Sequence, residues 1–160
     1  FMLNDLTRSI KCANANYLVA LGLFCYTEIL GLQLLRFREK NLKAKFDGRE
    51  CFNTFAAEYL KYNDVLSKHP DLYSIYRNGL CHEYYIKTTS GGQSVVALYY
   101  GEDSEKLVSQ GIDISKGIAI DDKDRFRVFI IEPYMNDFIS AVRRLSEEMN
   151  AVGWNPDEVT

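Results

Sequence analysis

The sequence predicts one α+β domain, mainly α: a helical bundle with a three-stranded antiparallel β-meander inserted before a C-terminal helix. Three observations predict it. Residues 1–88 are dominated by long stretches with helical spacing, residues 89–131 change to short Val-, Ile- and Tyr-bearing segments between Gly and Asp turns, and residues 132–150 return to helical spacing. A chain of 160 residues fits a single core, and at 47% hydrophobic and 13% aromatic it has the apolar content to build one. Residues 151–160 are expected to form a docked or frayed tail holding the only tryptophan, Trp154.

The first element, over residues 3–40, reads as one long helix or two stacked ones. Leu18 to Leu35 is apolar on nearly every side, as in a helix surrounded by others, and Gly22 and Gly31 are places where a neighbour would approach closely. The stretch from Tyr17 to Phe37 is also long enough for a membrane span, but Glu28 would then sit near mid-bilayer at a cost of about 2.5–3.5 kcal/mol. A core helix is therefore expected, with no membrane partner. Arg36, Arg38, Lys40, Lys43 and Lys45 follow with only Glu39 among them. Such cations suit a helix C-terminus as a solvated cap, and the alternative is an RNA-contacting patch.

Asp47-Gly48 signals a turn, and Phe52, Phe55, Tyr59 and Tyr62 then form a core-facing stripe on a second helix expected over 49–66. Ser67-Lys68-His69-Pro70 breaks it, and Pro70 suits the first turn of a third helix over 71–86. Ser90-Gly91-Gly92 is a flexible turn before a strand at 94–100. Segments 117–120 and 125–131 flank Asp121-Asp122-Lys123-Asp124 and read as a hairpin whose last strand has one partly wet face. Glu132-Pro133 opens the closing helix, with Tyr134, Phe138, Val142, Leu145 and Met149 inward.

The net charge of −3 limits the functions available, because a domain held to nucleic acid mainly through phosphate neutralisation is usually basic overall. Any nucleic-acid contact must be local. Cys12, Cys25, Cys51 and Cys81 form no CxxC pair and sit among apolar neighbours, which predicts free thiols in a reducing, cytoplasmic compartment. No secretory signal is expected at the N-terminus. With His69 and His82 the only histidines, no metal site and no cofactor are expected. His82-Glu83 starts like HExxH but lacks the second histidine, and there is no P-loop lysine, GxGxxG or GxSxG.

One segment carries a set of groups sufficient for chemistry. Arg77-Asn78-Gly79-Leu80-Cys81-His82 supplies a guanidinium that can hold charge building on phosphorus, an amide that can orient it, and an imidazole that can move a proton to or from a ribose hydroxyl or a leaving oxygen. Together these would cleave RNA through a cyclic phosphate without a metal.

This pattern resembles the RNxxxH signature of the HEPN superfamily (higher eukaryotes and prokaryotes nucleotide-binding), small helical bundles of which many are metal-independent endoribonucleases. The resemblance implies a toxin- or defence-type ribonuclease or RNA- or nucleotide-binding domain, working as a homodimer whose motifs meet across the interface. In it Arg77 would stabilise phosphate, His82 would act as general acid or base, and Asn78 would orient them. Tyr76, Tyr84 and Tyr85 would contact substrate, and Glu28 would help position the site.

This sequence departs from the resemblance in the β segment that follows the motif. On a regular helix, moreover, Arg77 and His82 lie about 140° apart, so convergence needs a kink at Gly79 or a second subunit. Two other readings stay open. In the first the domain is a non-catalytic protein-interaction or structural module. Leu72, Ile75, Gly79, His82 and Ile86 share one stripe, His82 is a core histidine, and Arg77 pairs with an acid or stacks on Tyr73 or Tyr76. In the second, a small-molecule pocket between sheet and helices is lined by Tyr84, Tyr85, Tyr99 and Tyr100.

Overall fold

The computed structural model describes residues 4, 6, 16–77, 93–95, 107–109, 111–120 and 126–154. Among the described residues its main helices are α1 (Asn16–Glu39), α2 (Gly48–Glu58), α3 (Asn63–Lys68) and α4 (Ile131–Ala151). A helical turn at 72–77 widens to π-type geometry across 73–77. The described residues also include three short strands: β1 (Gln93–Val95), β2 (Ile118–Ile120) and β3 (Phe126–Phe129). The chain is mostly helical with a small sheet, as the change of sequence pattern after residue 88 predicts.

Helix α1 is the centre of the bundle. Val19, Ala20, Leu23, Phe24, Thr27 and Leu34 are buried, while Leu18 and Ile29 are exposed at 62% and 48%. By length and composition α1 could also cross a membrane, the mean hydropathy of its most apolar 18-residue window being 1.8. Here its buried face is covered by α2, α4 and the 72–77 turn. Gly31 is where α2 comes nearest: a Cβ at that position would collide with the Cys51 backbone. Contacts advance in step along the two helices, Glu28 beside Gly48, Gly31 beside Cys51 and Arg38 paired with Glu58. The two helices therefore run the same way, and residues 40–47 must retrace the length of α1's second half.

Asp47 caps α2, its Oδ2 accepting from the Arg49 and Glu50 amides at 3.0 and 3.4 Å. The expected stripe of Phe52, Phe55, Tyr59 and Tyr62 is buried. The helix expected over 49–66 is nevertheless two helices. Lys61 turns left-handed at φ 61°, and the Tyr62 amide donates back to the Ala56 carbonyl at 3.0 Å, which closes α2. A lysine takes a position that glycine usually fills, so composition gave no sign of the stop. Lys40 ends α1 in the same way, at φ 50°.

The sheet differs from the expected meander. Its order is β1-β3-β2, with β3 in the centre, antiparallel to β2 and parallel to β1. Of the expected strand at 94–100, residues 93–95 are described, and in register Val95 lies opposite Val128. A meander needs hairpin turns between successive strands, whereas the long connection from Val95 to Ile118 lets β3 return beside β1 in the parallel sense. The expected hairpin of β2 and β3 does form, Ala119 facing Val128.

Nor is the last strand wet on one face at its end. Phe129 packs into the main core against Phe24, with ring centroids 4.7 Å apart, while Val128 and Ile130 join Ile112 and Ala119 in a second, smaller cluster. The end of β3 thus separates two apolar layers. Helix α4 closes the bundle through Tyr134, Met135, Phe138, Ala141 and Leu145. Trp154 meets Phe37 edge-on at 5.3 Å, so the described start of the tail is docked.

Two separate sets of hydrogen bonds pin α4 to the rest of the fold. The Tyr62 hydroxyl donates to Asp137 Oδ2 at 2.9 Å and accepts the Gly117 amide at 3.1 Å. Thr27 donates to the Leu23 carbonyl at 2.7 Å, which leaves its oxygen to accept from Tyr134 at 2.9 Å. Burial raises the pKa of both tyrosines, so each stays a neutral donor.

Candidate functional site

Glu28 is the acid of an otherwise apolar helical stretch, and its carboxylate lies where α1, α2 and the 72–77 turn converge. Arg77 donates from Nε to Glu28 Oε2 at 2.6 Å, and the Tyr73 hydroxyl donates to the same oxygen at 3.2 Å. The guanidinium also lies over the Tyr73 ring, 5.8 Å from its centroid. Burial and the Glu28 carboxylate push the Tyr73 phenol up to about 12, with Arg77 opposing. Side-chain exposures of 24% for Arg77 and 22% for Glu28 make this a half-buried pair open to solvent on one side.

Gly48 makes the convergence possible. A Cβ there would lie 2.5 Å from the Tyr73 hydroxyl and 2.8 Å from Glu28 Oε1, so the first turn of α2 can sit on the carboxylate only without a side chain. The next residue, Arg49, reaches over the same junction and donates from Nη2 to Ser74 Oγ at 2.8 Å. Ser74 precedes Arg77 by three residues, one helical turn. Two arginines from separate elements are thereby fixed next to the same turn.

Of the residues singled out from the sequence, Arg77 and Glu28 come together as the site, and Arg77 also has the acid partner and the Tyr73 contact that the structural reading expects. Tyr76 does not fit the expectation of a substrate-binding ring. It is fully buried, stacked on Phe24 at 5.3 Å and 6.0 Å from Phe129, so its aromatic surface is used up in the core. Asn78, His82, Tyr84, Tyr85, Tyr99 and Tyr100 lie outside the described residues. Sequence reasoning passed over Tyr73, Ser74, Gly48 and Arg49 as site residues. The available signal was Glu28 itself, since a half-buried acid in an apolar helix demands donors from elsewhere.

A second concavity, a groove of about 740 Å³, runs between α3 and β2 and is lined by Asp64, Lys68, His69, Asp113, Lys116 and Ile118 among others. The tyrosines expected to line a pocket lie outside the described residues. Among the described residues no group of three or more His, Cys, Asp or Glu side chains is arranged to hold a metal ion.

Fold and site define a helix-dominated α+β domain with an acid–arginine pair at a helix crossing. No protein-family model, curated protein or solved structure matches the chain.

Proposed function

We propose that this domain is a HEPN-like, metal-independent endoribonuclease in which Glu28 and Tyr73 hold Arg77 for the scissile phosphate and His82 moves the proton. The observation that carries this reading is the Glu28–Arg77 pair. The motif arginine is held through Nε by an acid from a distant helix, with an aromatic ring beneath it and part of its surface in solvent. A guanidinium oriented before substrate arrives loses little freedom when it binds the phosphate oxygens. In the reaction the 2′-oxygen attacks phosphorus and the bond to the 5′-oxygen breaks, leaving a 2′,3′-cyclic phosphate and a 5′-hydroxyl. One imidazole takes the 2′ proton, and a second, from another copy of the chain, gives one to the leaving oxygen.

The test is cleavage of single-stranded RNA by the full chain in EDTA, with fragment ends identified. Cyclic-phosphate ends are expected, and His82→Ala should lower the rate at least about 100-fold while leaving the melting temperature near that of the parent. Arg77→Ala should lose activity likewise. If the parent neither cleaves nor binds RNA, or His82→Ala cleaves as the parent does, the reading fails. The Glu28–Arg77 pair would then be a packing device of a non-catalytic interaction domain.

A further inference from the structure

The segment joining α1 to α2 belongs neither to the core nor to the site, yet it connects them. Between residues 36 and 49 the chain carries Arg36, Arg38, Lys40, Lys43, Lys45 and Arg49 against only Glu39 and Asp47, in a protein whose net charge is −3. Two of these cations are committed: Arg38 is paired with Glu58, and Arg36 donates from Nε to the Ala44 carbonyl at 3.1 Å. Asp47 is occupied in capping α2. Lys40, Lys43, Lys45 and Arg49 are exposed and have no acidic partner among the described residues.

The path of this segment aligns these cations with the site. Because α1 and α2 run the same way, the segment travels back beside α1 from Glu39 to the level of Glu28, a length of about 16 Å at the helical rise of 1.5 Å per residue. It is anchored along the way. The Arg36 contact holds Ala44 against α1, and Asn41 Oδ1 accepts the Lys43 amide at 2.9 Å. At its end Gly48 touches Glu28 and Tyr73, and Arg49 is tied to Ser74, one turn before Arg77. The lysines are therefore spread along an anchored segment that ends at Arg49, which is tied to Ser74 one turn before Arg77.

We infer that residues 40–49 form a track for the phosphate backbone of single-stranded RNA, leading the strand to Arg77. This rests on the ribonuclease reading and deepens it: the substrate is a polynucleotide, held over several phosphates, and a mononucleotide would occupy only the Arg77 end. Lysines along one segment act as point charges on phosphate without base readout, so the track binds without sequence preference and through counterion release.

The test uses the full chain carrying His82→Ala, so that RNA is bound and not cut. Binding of a fluorescein-labelled 15-nucleotide single-stranded RNA is followed by anisotropy across a series of KCl concentrations. The combined change Lys40→Gln, Lys43→Gln and Lys45→Gln is compared with Lys61→Gln, Lys68→Gln and Arg143→Gln, which removes equal charge elsewhere. Without the three lysine–phosphate pairs, the slope of log affinity against log salt should become shallower by about 2, at roughly 0.7 per neutralised phosphate of a single strand. The second set should keep the slope of its parent, and an unlabelled dinucleotide should compete far more weakly than the 15-mer. Equal slopes in the two sets, or a dinucleotide competing as well as the 15-mer, would overturn the track while leaving the ribonuclease reading in place. A parent chain that neither binds nor cuts RNA overturns both.

Discussion

Glu28 and Tyr73 show how much of the site depends on single polar groups. The carboxylate is half-buried, and it can be tolerated there because Arg77 and Tyr73 donate to it at 2.6 and 3.2 Å. The phenol in turn must keep its proton to donate. Its pKa is pushed up from 10.0 to about 12 by burial first and by Glu28 second, so the fold favours the neutral form. The stability this contributes is full below about pH 10 and is lost as the pH rises through 12. Tyr73→Phe should flatten the fall of the urea midpoint over that window relative to the parent. Curves that stay parallel would show that folding does not raise the phenol's pKa. The sequence announced Glu28 as an anomaly and Arg77 as a motif residue, but nothing in their spacing joined them. They are 49 residues apart, and only the packing of α1 against the 72–77 turn brings them together.

Among the elements, the α1–α2 crossing controls the rest. Glycine in a helix is less stable than alanine by about 1 kcal/mol, so a glycine kept there must be needed for contact. Gly22 and Gly31 test this against each other. A Cβ at Gly22 would approach the end of the Leu6 side chain at 3.0 Å, which can rotate away, whereas at Gly31 it would enter the Cys51 backbone, which cannot. Gly22→Ala is expected to be neutral or stabilising, and Gly31→Ala to cost about 1–3 kcal/mol by urea denaturation. Equal effects would mean that the crossing is loose enough to admit a methyl group. Gly31 was legible in the sequence as a place of close approach, but its partner was not. The break between α2 and α3 was illegible because Lys61, not glycine, takes the left-handed position. The parallel pairing of β1 with β3 was also beyond reach, since it joins segments that are not neighbours in sequence.

Across the whole molecule Phe24 joins the parts. Its ring packs on Phe52 of α2, Tyr76 of the 72–77 turn, Phe129 of β3 and Tyr134 of α4, with centroids 4.7–5.6 Å away. Bundle and sheet therefore share one core and should unfold together. Phe24→Ala should cost about 3–5 kcal/mol, and in the parent the transitions seen by Trp154 fluorescence and by far-UV circular dichroism should coincide. Separate transitions would show that the contact between the tail and the end of α1 opens before the bundle unfolds.

The sequence by itself determined the helix-dominated class, the buried stripes of α2 and α4, the β2–β3 hairpin and the central place of the first long helix. Each of these follows from side-chain period and local turn chemistry, which act over a few residues. Only the tertiary structure decided that α1 and α2 run the same way, that β1 lies parallel to β3, that Tyr76 belongs to the core, and that Glu28, Tyr73 and Arg77 meet beneath Gly48. These depend on which distant surfaces bury each other, and burial energy is non-directional, so periodicity can say that a face is covered but not by what.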